Sequence, residues 1–338
     1  MRVAVIGAGS FGTVLASVVR ANQHQVRIWA RSQEQCDQIN QTGFNSKYHP
    51  KLKLDGVHAS SDFAEVVADA DLVILSVPSK AMSEVCLRLA EHLPAGVGLV
   101  STTKGIQAEG FLMMSEVIEY ACPGHPVGVL SGPNLAAEIA QRHLTAAVIA
   151  SPSARLRESA THAIGCKYLR LYSATDRISV ELGGALKNIY AIACGLAAAL
   201  NVGSNTQAAL MTRALAEMSR LASHLGGNPM TFLGLAGVGD LIVTCSSPLS
   251  RNYRVGWLLG EGKTLEQAQQ EIGQVAEGVN TLRLIHARAL EMGVVMPIVN
   301  GLHEVIFGQM PARSVAVKLM QAAHTSDVEF VLPTIPGP

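Results

Sequence analysis

The chain lacks an excess of either charge: Lys plus Arg and Asp plus Glu number 26 each in 338 residues, for a formal net charge of zero. Without a basic stripe there is no footprint for nucleic acid or for an anionic membrane surface, although a local anion site is still allowed. The six cysteines (Cys36, Cys86, Cys122, Cys166, Cys194 and Cys245) are scattered, with no C-x-x-C pair and no histidine cluster at metal-ligand spacing. That pattern argues against a zinc or disulfide framework and for reduced thiols in a cytoplasmic, metal-free protein. The longest apolar run, Ile189 to Leu200, has 12 residues, short of the roughly 20 that span a bilayer, so no membrane span is expected. "MRVAVIGAGSFG" at the N-terminus runs straight into a glycine turn and has no signal-peptide core. Internal repeats and low-complexity tracts are absent.

What is present is a large store of core material, 49% hydrophobic against 15% charged, in a chain longer than one core usually supports. In the first half, short β-branched runs (2–6, 25–30, 71–77, 97–102, 126–131 and 146–151) alternate with helical patterns (10–21, 32–41, 79–92, 110–120, 134–142 and 153–164). Apolar strands separated by helices predict a mostly parallel sheet covered on both faces, an α/β, Rossmann-like doubly wound fold. After "KYLRLYSATD" (167–176) the strand signal stops and helices follow over 179–200, 205–225, 252–260, 264–271, 278–292, 297–306 and 311–322. The expected organisation is a dinucleotide-binding domain over 1–178, an all-α substrate and catalytic domain over 179–322, and a proline-rich, disordered tail over 323–338.

The dinucleotide expectation rests on "GAGSFG" (7–12), a G-x-G-x-x-G after a strand and opening a helix. Gly7 allows the tight turn, Gly9 a close approach to pyrophosphate, and Gly12 close helix–strand packing, while the helix N-terminus offers free N–H groups. The second strand ends "IWARS", with Arg31 where NAD binders usually place an acidic residue. An arginine suits a 2′-phosphate, the alternative being a solvated surface side chain. "STTKGI" (101–106) and "LSGPN" (130–134) follow strands at their carboxyl ends, where open α/β sheets bind ligands. There Lys104 is either a ligand contact or a solvated loop lysine.

Two further stretches carry chemistry. In "GVGDLIVTC" (237–245) Asp240 is either a buried carboxylate with a partner or a turn former. Ser250 of "SPLSRNYRVG" (247–256) is a helix N-cap, and with Arg251 and the free N–H groups of that helix it forms a phosphate site or serves capping alone. Lys187 lies in "GGALKNIYAIACG" (183–195), on a helix apolar on every side, where a lysine cannot easily snorkel to water. Desolvation favours its neutral amine as a base, whereas a nearby carboxylate such as Asp240 favours the protonated form.

Eight segments in order, GAGSFGT (7–13), VPS (77–79), TKGI (103–106), SGPNLAAE (131–138), ELGGALKNIYAIACG (181–195), GLAGVGDLIVTC (234–245), SRNYRVG (250–256) and VAEGVNT (275–281), resemble the bacterial-type NAD(P)-dependent glycerol-3-phosphate dehydrogenases over residues 1–322. The resemblance implies Lys187 as proton acceptor, with Asp240 beside it in the catalytic apparatus. It implies substrate contacts from Lys104, Gly132, Asn134, Lys187, Asp240, Ser250, Arg251 and Asn252. For NADP(H) or NAD(H) it implies Ser10, Phe11, Arg31, Tyr48, Lys104, Ala136, Arg251, Val275 and Glu277, beside Gly7, Gly9 and Gly12. The implied reaction interconverts sn-glycerol 3-phosphate and dihydroxyacetone phosphate, feeding phospholipid synthesis, in an enzyme whose two-domain relatives are often homodimers. The sequence departs from the family pattern in "GPNLA", where Asn134 replaces a hydroxyl, and in "NSKYHPKLKL" (45–54) around Tyr48. A related β-hydroxyacid or ketopantoate-type reductase, and a non-catalytic NADPH sensor, are the alternatives.

Overall fold

A computed structural model describes residues 1–273 and 276–321 of the chain, which divides into two compact units, Met1–Gly184 and Ala185–Pro338. In the first unit eight strands form one sheet: β1 (Arg2–Ile6), β2 (Gln25–Trp29), β3 (Val57–Ser60), β4 (Leu72–Leu75), β5 (Gly98–Ser101), β6 (Val127–Ser131), β7 (Thr145–Ala150) and β8 (Leu169–Ala174). Their order is β8-β7-β6-β5-β4-β1-β2-β3. All neighbours run parallel except β6 and β7, which pair antiparallel through Leu130 and Ile149. The chain order therefore reverses on either side of β1, the switch point at which doubly wound sheets bind ligands.

Strand β1 shows why the sheet is covered twice. Val3 and Val5 join a core with Val14, Leu15 and Val18 of α1 (Ser10–Ala21), Cys36 and Ile39 of α2 (Gln33–Thr42), and Leu156 and Ala160 of α7 (Ala154–Ile164). Ala4 and Ile6 point the other way, into a core with Phe63 of α3 (Phe63–Val67), Met82 and Leu89 of α4 (Met82–Ala90), and Val117 and Ile118 of α5 (Met114–Ala121). A strand apolar at every position needs both faces buried, and each Val, Leu or Ile so buried contributes roughly 1.5–3 kcal/mol.

The structure adds elements to the predicted set. A small antiparallel hairpin joins Phe44–Asn45 to His49–Lys53, β3 and α3 follow it, and residues 106–113 form a second small hairpin, so that α5 starts at Met114 rather than at 110. The strand signal also extends into "LRLYSA", which forms the edge strand β8. The short helix α6 (Ala136–Ala140) follows β6.

Helix α8 (Arg177–Ala199) carries the chain from the first unit into the second. By length and composition it could cross a membrane, but 83% of its most apolar stretch is buried. Its one acidic residue, Glu181, accepts hydrogen bonds from Ser115 N at 2.9 Å and from Ser115 Oγ, at the start of α5. Burial pushes this carboxyl up to about 7 against those two bonds.

The second unit, as expected, is helical: α9 (Ser204–His224), α10 (Asp240–Ser246), α11 (Arg251–Gly260), α12 (Leu265–Ile272), α13 (Glu277–Glu291), α14 (Pro297–Ile306) and α15 (Ala312–Gln321), with a 3₁₀ turn over Pro229–Leu233 and a π-helical turn over Leu235–Gly239. Glu217 of α9 caps α14: its Oε1 accepts Ile298 N–H at 2.6 Å and its Oε2 accepts Val299 N–H at 3.3 Å and the Tyr190 hydroxyl at 3.2 Å. Helices α8 and α11 bring their backbones almost into contact, for a Cβ on Gly256 would fall 1.9 Å from Ile192 O and one on Gly195 2.0 Å from Tyr253 O. Asn188 of α8 and Asn252 of α11 both lie against Gly278, where a Cβ would meet Asn188 O at 2.6 Å and Asn252 Oδ1 at 2.8 Å. The expected tail, 323–338, lies outside the described residues.

Candidate active site

In the first unit the glycines of 7–12 divide their work as a dinucleotide turn requires. Gly7 has φ +115°, and a Cβ there would lie 2.4 Å from Ser76 O; one on Gly12 would lie 2.0 Å from Gly7 O, whereas one on Gly9 would meet nothing within 4 Å. Two glycines thus permit close packing and the third keeps space open at the start of α1, where no side chain caps the helix. The arrangement fits a pyrophosphate held by helix N–H groups. Phe11 is half-buried against the α1 side of the core, as is Ala136 at the start of α6.

The 44–53 hairpin braces this turn. Asn45 Nδ2 donates to Ala8 O at 2.9 Å and to Thr13 Oγ1 at 2.8 Å, and Gln35 Nε2 donates to Ala8 O at 2.8 Å. His49 Nε2 lies 2.9 Å from Ser10 Oγ and 3.1 Å from Ser10 O. A carbonyl only accepts, so Nε2 carries the proton; burial holds the imidazole below its ordinary pKa, against the Ser10 bond. No sequence signal pointed to His49, which stands in the polar stretch "NSKYHPKLKL". Its neighbour Tyr48 is half-buried with Lys47 Nζ 5.6 Å from its ring. Arg31 is exposed just beyond β2, ahead of Ser32, the N-cap of α2.

Past the carboxyl ends of β5 and β6, Lys104 Nζ donates to Asn134 Oδ1 at 2.7 Å and to Gly132 O at 3.3 Å. Gly132, at φ +123°, makes the turn that returns its carbonyl to the lysine, and a Cβ there would press within 3.2 Å of Ala147 Cα. Lys104, Gly132 and Asn134 are therefore one cluster. Ser131, which the sequence reading passed over, lies beside them and is 2% exposed.

In the second unit, Lys187 and Asp240 form a buried ion pair, Nζ donating to Oδ1, with side-chain exposures of 7% and 1%. Of the two readings open for Asp240, the structure shows the buried carboxylate with a partner. The π-helical turn delivers it as the first residue of α10, and Thr244 Oγ1 lies 3.4 Å from the same Oδ1. Breaking such a pair strands a charge out of water.

Ser250 caps α11, its Oγ accepting Tyr253 N–H at 3.3 Å. Arg251 follows, exposed, as the first residue of that helix. Asn252 Oδ1 accepts Gly278 N–H at 3.1 Å, and Gly278 has no room for a Cβ, which would meet Asn188 O at 2.6 Å. Asn252 thus ties α11 to the first turn of α13, which Glu277 opens. A hydroxyl, a guanidinium, an amide and a helix N-terminus are gathered at one end of α11, a donor set for a phosphate. Val275 lies outside the described residues.

Two family models match the chain, NAD-dependent glycerol-3-phosphate dehydrogenase N-terminus over residues 2–157 and the C-terminus of the same family over 176–317. A glycerol-3-phosphate dehydrogenase [NAD(P)+] of Teredinibacter turnerae is 52% identical over 331 residues, covering 98% of this chain and 97% of that protein. The crystal structure of the glycerol-3-phosphate dehydrogenase of Coxiella burnetii superposes with a TM-score of 0.90 at 35% identity, covering 95% and 99% of the two chains. A ketopantoate reductase from Ralstonia eutropha, at 17% identity and a TM-score of 0.57 over 95% of this chain and 100% of its own, shares the fold alone. With a close-packed glycine turn at the start of α1, a buried Lys–Asp pair, and family models matching both halves of the chain, the chain belongs to the NAD-dependent glycerol-3-phosphate dehydrogenase family.

Proposed function

We infer that the chain interconverts sn-glycerol 3-phosphate and dihydroxyacetone phosphate with NADP(H) or NAD(H), supplying glycerol 3-phosphate for phospholipid synthesis in the cytoplasm. The observation that carries this reading is the buried Lys187–Asp240 pair, with Asn188, the next residue of its helix, packed together with Asn252 against Gly278. When bound, the nicotinamide supplies the hydride chemistry. Ser10, Phe11, Ala136 and the N-terminus of α1 would hold the dinucleotide, and Arg31 would pair with a 2′-phosphate. Tyr48, Val275 and Glu277 complete the cofactor contacts.

Arg251, with Ser250 and Asn252, anchors the substrate phosphate, and that binding energy holds C2 in place for reaction. Lys187 exchanges a proton with the C2 oxygen: it donates during reduction of the ketone and accepts during oxidation of the alcohol. Asp240 keeps the amine on one line of approach, since a hydrogen-bonded carboxylate removes its rotational freedom. Lys104 presents a second cation to substrate and cofactor from the Asn134–Gly132 cluster.

Reduction of dihydroxyacetone phosphate, ketopantoate and tartronate semialdehyde, followed by loss of reduced-nicotinamide absorbance, tests the reading. Turnover is expected with dihydroxyacetone phosphate. Consumption of ketopantoate or the semialdehyde in its place would assign a sister reductase activity, and cofactor binding without turnover of any would assign a sensor.

A further inference from the structure

Within the second unit, helix α8 carries a stripe of polar-ended side chains that the proposed chemistry uses only in part. Lys187, Tyr190 and Cys194 recur at i, i+3 and i+7, so they share one face of the helix. Each meets a polar partner of the same unit. The amine meets Asp240, the Tyr190 hydroxyl donates to Glu217 Oε2 at 3.2 Å, and the Cys194 thiol shares a hydrogen bond with the Cys245 thiol. Asp240 and Cys245 both belong to α10, whereas Glu217 belongs to α9. A different face of α8, with Asn188, Ile192 and Gly195 at i, i+4 and i+7, is the one that glycines press against α11 and the first turn of α13. One side of the lysine-bearing segment is thus held by close backbone contact and the other by polar bonds.

The bond between Tyr190 and Glu217 calls for a reason. Tyr190 is 0% exposed and Glu217 1%, and burying an acid costs free energy that apolar packing of the same volume avoids. What a hydrogen bond adds is a fixed distance and direction. Burial pushes the Tyr190 hydroxyl well above its ordinary pKa, so it keeps its proton and acts as the donor. Its acceptor cannot drift with it, because Ile298 and Val299 N–H of α14 already hold the two carboxyl oxygens of Glu217. Tyr190 therefore ties α8 to a rigid anchor one helical turn beyond Lys187. Proton exchange requires hydrogen-bond reach to the reacting atom, and a misplacement of about 1 Å can cost ~10²-fold in rate. Asp240 directs the end of the lysine side chain, but the helix beneath it must also be held. We propose that Tyr190, anchored on Glu217, is a positioning residue for Lys187, fixing the rotation and height of α8 at which the amine meets Asp240 and the substrate oxygen. The inference rests on the reaction proposed above, in which Lys187 exchanges the proton.

The test is a double-mutant cycle on dihydroxyacetone phosphate reduction: wild type, Tyr190→Phe, Lys187→Ala and the variant carrying both, with NADPH affinity and thermal midpoint measured on each. Tyr190→Phe keeps the ring and removes only the hydroxyl oxygen. It is expected to lower kcat by ~5- to 50-fold, with KM for dihydroxyacetone phosphate within ~3-fold and NADPH affinity within ~2-fold of wild type. The thermal midpoint is expected to fall by a few degrees, since Glu217 loses a donor. In the Lys187→Ala background the same change is expected to alter kcat by no more than ~2-fold, because no amine is left to misplace. A loss of equal size in both backgrounds, a kcat that holds while only the thermal midpoint falls, or a Tyr190→Phe enzyme that does not fold would each overturn the assignment and leave Tyr190 a packing residue. A wild-type enzyme inactive on dihydroxyacetone phosphate, or a Lys187→Ala enzyme with turnover near wild type, would instead overturn the functional reading beneath it.

Discussion

Lys187 was conspicuous in the sequence because little around it is charged, and the structure shows what makes it tenable: Asp240, 53 positions on, accepts its hydrogen bond in a dry setting. No spacing rule joins these two residues, so the pairing was legible only as two open alternatives. Arg31 and Arg251 contrast with it, each exposed and each positioned by backbone, one just past β2 and one on the first turn of α11. For Arg31→Ala the expected result is a loss of ~10-fold or more in NADPH affinity with NADH affinity within ~2-fold, as befits a charge-assisted contact with one phosphate. Fluorescence titration with both cofactors measures it, and equal losses would remove the 2′-phosphate role. Arg251→Gln is expected to raise KM for dihydroxyacetone phosphate by ~10- to 100-fold, the value of one strong charged hydrogen bond. An unchanged KM would move the phosphate site elsewhere.

At the scale of elements, the helices that place the site are held by buried acids rather than by hydrophobic contact alone. Glu217 caps α14 and also receives Tyr190 of α8; burial pushes its pKa up to about 7, against the two backbone bonds, from an ordinary 4.5. Between those values the folded chain keeps a proton that the unfolded chain has released, so the contribution of this group to stability falls as pH rises through the window. The full cost above pH 7 is on the order of 3 kcal/mol. Glu217→Gln is therefore expected to flatten the pH dependence of the thermal midpoint across this range, and an unchanged slope would show that Glu217 does not titrate there. Glu181 adds a second group of the same sign in the first unit.

Elements with strong periodicity were readable from sequence: α1, α7, α9, α13 and the central strands lie within a few residues of their predicted spans. Those that escaped notice are short or polar. The hairpin "FNSKYHPKLK" carries Pro50 and three lysines and reads as a loop, yet it is held by Asn45 on Ala8 and Thr13, contacts between residues more than thirty positions apart. His49 reaches Ser10 by the same long-range route. Ser131 was hidden for a different reason, since its buried hydroxyl has no hydrogen-bond partner among the described residues, a property of its surroundings and not of its neighbours in sequence.

For the whole molecule, family membership and chemistry meet in a division of labour. One unit carries the glycine turn and the Lys104 cluster; the other carries the buried Lys187–Asp240 pair and the start of α11, each compact in its own right. The order of the eight matching segments already carried the family, whereas the fold alone is shared with a ketopantoate reductase at 17% identity. The proposed chemistry rests on the buried pair and the donor set at α11, and that is where the account is most exposed. The direct measurement is the rate of dihydroxyacetone phosphate reduction by Lys187→Ala, with NADPH affinity determined on the same preparation to establish that the variant is folded. The account predicts cofactor binding close to wild type and a kcat lower by ~10²- to 10⁴-fold, the range of proton-transfer catalysis. Turnover within ~3-fold of wild type would contradict it.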